Sequence, residues 1–214
     1  RILSKNIPKR HAENVKYCQF IGKLKDRFPS IVIKNCYNQV IIQRMGKNEK
    51  EVELIKESIG TTKRAIENVM IHHKELSNES VANAYHDFTI IKEGKCLSFN
   101  DIIASGKNAT VLHYDSNNSD IIDNSLLLMD VGCYTKHYSS DISRTFPVSG
   151  KFTQRQKEVY QVVLDVNKKC IDYARHGMTW KELNDYAKSL LAEGCKKLGL
   201  IKEDHELIKY YLQI

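Results

Sequence analysis

The chain has no apolar run long enough to span a membrane; the longest candidate is the short stretch from Ser125 to Val131. No apolar core follows the opening Arg1-Ile2-Leu3-Ser4-Lys5, so no signal peptide is recognisable, and the first residue is not methionine. Both ends therefore read as cuts rather than natural termini. Cys-x-x-Cys is also missing: Cys18, Cys36, Cys96, Cys133, Cys170 and Cys195 are widely scattered. That spacing argues against a structural zinc or a disulfide framework and suits reduced, mostly buried thiols in a cytoplasmic protein. Internal repeats and low-complexity segments are absent too. With 42% hydrophobic and 28% charged residues, the composition excludes disordered and fibrous classes. A formal charge of +7 invites a nucleic-acid reading. Against it, lysines and arginines alternate with acids across Lys47–Arg64, the pattern of a solvated helix face. No nucleic-acid or membrane partner is expected.

The first 43 residues read as the tail of something larger. A helix is expected over His11–Phe28 with Val15, Phe20, Ile21 and Leu24 inward. Ile31-Val32-Ile33 and Val40-Ile41-Ile42 are β-branched runs of strand type. A long helix follows from Asn48, with Val52, Ile55, Ile59, Ile66, Val69 and Met70 on one face. A second begins at Ser77 or Asn78, with Val81, Ala84, Tyr85 and Phe88 inward. The centre, about 97–148, is β-rich. Two capping boxes, Thr153-Gln-Arg-Gln156 and Thr179-Trp-Lys-Glu182, open the last helices, and Gly177 is a stop for the first of them. Helices before and after a mainly antiparallel sheet make an α+β pattern.

The chemistry lies in one stretch. A leucine-rich run leads to Asp130, and after a turn near Thr135-Lys136 the chain returns to Asp141 and Arg144. If these segments form a hairpin, the two carboxylates project from one side of a sheet. Two ionised carboxylates side by side repel unless one keeps its proton or a cation lies between them. Hard divalent metals suit such oxygen ligands. On spacing alone an equal reading makes Asp130 a turn residue and pairs Asp141 with Arg144 or Lys136.

The wider text resembles the pita-bread, creatinase-like metallopeptidases, most of all the Xaa-Pro aminopeptidases. The resemblance rests on Met129-Asp-Val-Gly132 and on Tyr138-Ser-Ser-Asp-Ile-Ser-Arg-Thr-Phe-Pro-Val-Ser-Gly-Lys-Phe152. Upstream it takes in Leu97–Ala109 and Leu112-His-Tyr114; downstream, Gln156–Tyr160 and Gly177-Met-Thr179. It implies a pita-bread domain over 44–214, incomplete at its C-terminal side. Residues 1–43 would be the end and linker of a creatinase-type N-terminal domain. Asp130 is similar to a ligand of one metal ion and Asp141 to the ligand bridging two. His113 is similar to a histidine that lines the substrate pocket. His137 falls at a variable position and is expected to face solvent, and His72-His73 to lie at the surface.

The resemblance further implies two divalent ions, manganese first, with cobalt, zinc or iron as alternatives. They would activate a shared water against the carbonyl before proline. Substrates would be peptides with proline in second position, in a cytoplasmic protein that forms homo-oligomers when complete. Two alternatives stay open: an Xaa-Pro dipeptidase (prolidase) and a non-catalytic pita-bread relative that binds peptides or proteins. The family's other ligands, one histidine and two glutamates, belong downstream of Lys209-Tyr-Tyr211, where this sequence has Leu212-Gln-Ile214. No catalytic acid or base is assigned within the chain. As it stands, the chain is expected to bind metal weakly, to lack peptidase activity and to expose apolar surface.

Overall fold

The computed structural model describes residues 12–202, with side chains from residue 17 onward. The elements are α1 (Ala12–Arg27), α2 (Tyr37–Met45), α3 (Glu49–Ile71), α4 (Glu79–Lys92), β1 (Cys96–Leu97), β2 (Ile102–Ser105), β3 (Leu126–Val131), β4 (Cys133–Thr135), β5 (Tyr138–Ser139), β6 (Ile142–Pro147), α5 (Gln154–Tyr173) and α6 (Trp180–Lys197). By internal packing the chain divides into two units, Arg1–Lys56 and Glu57–Ile214, so the division falls inside α3.

In the first unit, Val40-Ile41-Ile42 forms the middle of a helix and Ile31-Val32-Ile33 forms no strand, contrary to the β-branched reading. A three-residue apolar run cannot set its own period, and the helix formers Gln39, Gln43, Arg44 and Met45 around it decide the outcome. Asn35 supports the helix start by accepting from the Tyr37 amide at 2.8 Å. In α1, Ile21 and Leu24 are half-buried while Phe20 is 51% exposed; Val15 lies outside the described side chains. Asn48 opens α3 with reciprocal bonds: it accepts from the Glu51 amide at 3.0 Å, and Glu51 accepts from the Asn48 amide at 2.6 Å.

The second unit carries two three-stranded antiparallel sheets, ordered β2-β3-β6 and β1-β4-β5. The core gathers Ile66, Val69, Leu76, Ala82, Ile103, Leu127, Met129, Val131 and Phe146. Two helices bury polar residues beside the apolar face expected of them: Ile66 and Val69 of α3 are buried, and Met70, Val81 and Tyr85 pack partly buried against the core. In α3 the buried residues include Ser58, Thr61 and Thr62, whereas Val52 and Ile59 are exposed. In α4 the buried line is Glu79, Ala82, His86 and Ile90, and Phe88 is 59% exposed. Burying hydroxyls, a carboxylate and an imidazole is tolerable only where partners wait for them. Here they do: Ser58 donates to the Tyr138 carbonyl at 2.8 Å, and Thr62 meets the Ser140 hydroxyl at 2.7 Å.

Both capping boxes form. α5 ends at Tyr173, four residues before Gly177, which adopts a left-handed φ of 83°. All six cysteines are free, but only Cys133 is buried; Cys18 and Cys96 are exposed and the others intermediate. The expectation of mostly buried thiols is corrected: Cys18, Cys170 and Cys195 lie on helices, Cys96 on an edge strand and Cys36 just before α2, none of them buried. No helix among the described residues is long and apolar enough to cross a membrane.

Candidate metal centre

The strand β3 alternates cleanly. Leu127, Met129 and Val131 enter the core, and Leu126, Leu128 and Asp130 occupy the half-open face. Asp130 therefore ends an apolar run without being forced into apolar surroundings. β6 lies antiparallel beside it, with Asp130 opposite Ser143 and Val131 opposite Ile142. Ser143 donates to Asp130 Oδ1 at 3.0 Å. Asp141 precedes β6 by one residue and shares the face of Ser143, so it is the diagonal neighbour of Asp130.

Between the two aspartates the chain runs out and back through β4 and β5. Thr135 pairs with Tyr138 across Lys136 and His137, whose φ values are 46° and 74°. Two successive positive values over a two-residue connection form a type I′ hairpin turn. Its return is anchored at Ser140. The Ser140 hydroxyl accepts from the Cys133 amide at 3.0 Å, and the Ser140 carbonyl accepts from the Ser98 hydroxyl at 2.9 Å. Gly132 makes this closure possible. A Cβ there would lie 2.1 Å from both the Ser140 carbonyl oxygen and the Ser98 hydroxyl oxygen. Close backbone approach, not φ, is what demands glycine at this position.

Asp141 is less acidic than an ordinary aspartate. Partial burial comes first among the causes, followed by the hydrogen bond and negative charge of Asp130. Two carboxylates this close resist joint ionisation until a cation joins them. An all-oxygen pair of this kind fits a hard divalent ion. Asp141 makes no ion pair with Arg144 or Lys136 among the described residues, and the Arg144 guanidinium donates to the Ser143 carbonyl at 2.7 Å. The pairing alternative drawn from spacing therefore gives way to the converging carboxylates.

His113 is placed by a different part of the chain. It is exposed, has a φ of 57°, and lies in the irregular segment between β2 and β3. No hydrogen bond joins it to either aspartate among the described residues. His137 is exposed as expected, with Nδ1 2.7 Å from the Tyr134 hydroxyl. His72 and His73 are more enclosed than expected: His72 stacks on Tyr85, and His73 Nδ1 lies 2.9 Å from the Val148 carbonyl. The segment around Lys209-Tyr-Tyr211 and Leu212–Ile214 lies outside the described residues.

A second polar cluster escaped the sequence reading. His86, fully buried on α4, has Nδ1 2.5 Å from Asp101 and 3.3 Å from Asp87. Burial opposes its charge, but hydrogen bonds to Asp101 and Asp87, with their charges, lift the imidazole to about 9. Three possible ligand atoms meet here. Donor atoms on one zinc-sized ion, with bonds of about 2.0–2.2 Å, stand about 3 Å apart or more. The 2.5 Å contact is instead that of an imidazole–carboxylate ion pair. Asp101 directly precedes Ile102, which faces Asp130 in the sheet. The signal in the sequence was the three- and four-residue spacing of Glu79, Ala82, His86 and Ile90, hidden by the more apolar line beside it.

Residues 53–210 match the sequence profile of metallopeptidase family M24. The chain is 35% identical over 160 residues to the mitochondrial intermediate cleaving peptidase 55 of Arabidopsis thaliana, covering 74% of this chain and 32% of that protein. It is 44% identical over 129 residues to Xaa-Pro aminopeptidase 3 of Dictyostelium discoideum, covering 60% of this chain and 25% of the relative. A Bacillus anthracis structure described as a candidate aminopeptidase P superposes with a TM-score of 0.90 at 41% identity, over 97% of this chain and 49% of that one. The α+β pita-bread expectation is thereby met. The chain spans about half of that structure and a quarter to a third of the two curated relatives. On this match the chain belongs to metallopeptidase family M24.

Proposed function

We propose that the protein carrying this chain removes the N-terminal residue from peptides with proline in second position. The observation that carries the reading is the convergence of Asp130 and Asp141 on one sheet face. Relatives named Xaa-Pro aminopeptidase support the substrate class.

Asp130 and Asp141 are the residues of this chain that would hold a pair of divalent ions, with Asp141 the one the resemblance would assign to both. The histidine and two glutamates implied by the resemblance complete the set from elsewhere in the protein. When bound, such a pair lowers the pKa of a shared water and polarises the scissile carbonyl. The chain's own groups hold the geometry. Ser143 orients Asp130, and the Ser140 anchor fixes the backbone that presents Asp141. His113 contacts the peptide near the scissile bond. Proline has no amide hydrogen, and its ring restricts the residue before it, so ordinary aminopeptidase pockets serve this bond poorly. Manganese is the proposed metal. The proposed division has the N-terminal domain ending at residue 43 and the metallopeptidase domain starting at 44. Cytoplasmic location and homo-oligomerisation complete the proposal.

Three peptides test it on the complete, manganese-loaded protein: a tripeptide with proline second, an Xaa-Pro dipeptide, and a tripeptide with alanine second. Cleavage of the first at least tenfold faster than the others supports the reading. Preference for the dipeptide would replace it with a prolidase, and no cleavage of any would leave a binding protein.

A further inference from the structure

The segment from Ser105 to Ser119 has little regular structure; beyond a short 3-10 helix over Gly106–Thr110 it is irregular, yet it carries His113. Such a stretch needs fixed points if a side chain on it is to be held in place. Glu79, fully buried at the start of α4, supplies them. Its Oε1 accepts from the Ser105 amide at 2.7 Å, the Ser105 hydroxyl at 2.9 Å and the Asn108 side chain at 3.1 Å. Its Oε2 accepts from the Tyr114 hydroxyl at 2.6 Å and the Ser119 amide at 3.0 Å. One carboxylate thus holds both ends and two interior points of the segment. Burial opposes its ionisation, but these donors, Tyr114 foremost, prevail and keep it below the ordinary glutamate range.

One helical turn on, Asn83 accepts from Asn117, whose side chain also donates to the Asp101 carbonyl at 2.7 Å and accepts from the Ile103 amide at 2.8 Å. The buried polar face of α4 is therefore a support for this segment and for the start of β2. His113, adjacent to the tethered Tyr114, keeps a left-handed backbone that a non-glycine residue holds only when its surroundings impose it.

We propose that Glu79 is a positioning residue: through Tyr114 it fixes the backbone that presents His113. The consequence for catalysis rests on the functional reading given above, whereas the tether itself does not. The test uses the complete protein with E79Q, Y114F, H113A and the double variant Y114F/H113A. Y114F removes one hydroxyl and leaves four donors on Glu79, so it serves if E79Q fails to fold. Amide exchange in the metal-free protein should rise at least tenfold across 105–119 in E79Q and across 111–114 in Y114F, with α5 unchanged. For a hydrogen bond to a charged group, kcat/KM in Y114F should fall roughly tenfold or more. In the H113A background the same change should cost less than about twofold, because the two residues act as one unit. Unchanged exchange would overturn the tether. Equal losses in both backgrounds would overturn its action through His113. Should the wild type cleave no peptide, the functional reading fails, and exchange at 111–114 still decides whether Glu79 fixes this backbone.

Discussion

Gly132→Ala is the sharpest structural perturbation available near the two aspartates. The added methyl would lie 2.1 Å from the Ser140 carbonyl oxygen and from the Ser98 hydroxyl oxygen, and 3.0 Å from Phe99. The two oxygens would have to retreat by about 1 Å, and one of them is main chain, which no rotamer change can move. Overpacking at a closed backbone contact costs about 1–3 kcal/mol. Losing the Ser98-to-Ser140 hydrogen bond adds about 1 kcal/mol. The sum is about 2–4 kcal/mol, and the displaced Ser140 adjoins Asp141, so the carboxylate pair should open as well. Urea denaturation followed by circular dichroism reads the first effect, and manganese titration the second. The expected result is a lower midpoint and weaker manganese binding in G132A. Adding S98G should not restore the midpoint, because the carbonyl clash remains. A midpoint within about 0.5 kcal/mol of wild type would refute the reasoning.

Asp141→Asn should stabilise the metal-free protein near neutral pH. The folded group binds its proton more tightly than the unfolded one, so stability falls as pH rises above the ordinary aspartate range, and the amide removes that loss. In a denaturation series from pH 3 to pH 8, the stability of D141N relative to wild type should grow as pH rises. His86 has the opposite origin but is lost in the same direction. Its imidazole is lifted from 6.5 to about 9, so its contribution is complete below pH 6.5 and disappears as pH climbs through 9. The loss is on the order of 3 kcal/mol, and D101N should flatten it in a melt series between pH 6 and pH 10. Ser140→Ala removes the acceptor of the Cys133 amide and the partner of Thr62; a cost of about 1–3 kcal/mol is expected in the same denaturation assay. Trp180, the only tryptophan, is 87% exposed, so its emission maximum in this chain should move little on unfolding.

What the sequence disclosed was whatever repeats on a fixed local rule. The Thr153 and Thr179 caps, the alternation along Leu126–Val131 and the return from Asp130 to Asp141 each depend on spacing over a few residues, and each is present. The polar parts of the inner faces of α3 and α4 were not legible in this way. Ser58, Thr61, Thr62, Glu79 and His86 look like solvent residues until their distant partners Tyr138, Glu93, Ser140, Tyr114 and Asp101 are placed beside them. Polar contacts between residues 15 to 80 positions apart leave no periodic trace. The same holds for Gly132, whose need for a missing side chain comes from Ser98 and Ser140, not from its own turn. In α2, the short Val40-Ile41-Ile42 run misled because β-branched residues favour strands only weakly against helical neighbours.

The most direct test of the account compares wild type, D130N and D141N in the complete protein with manganese. The quantity measured is the rate at which the first residue leaves a tripeptide with proline second. Both variants keep the side-chain volume but lose a ligand charge. Measurable cleavage by wild type is expected, with a loss of about a thousandfold or more in each variant and folding retained. Cleavage by D130N or D141N within tenfold of wild type would contradict it.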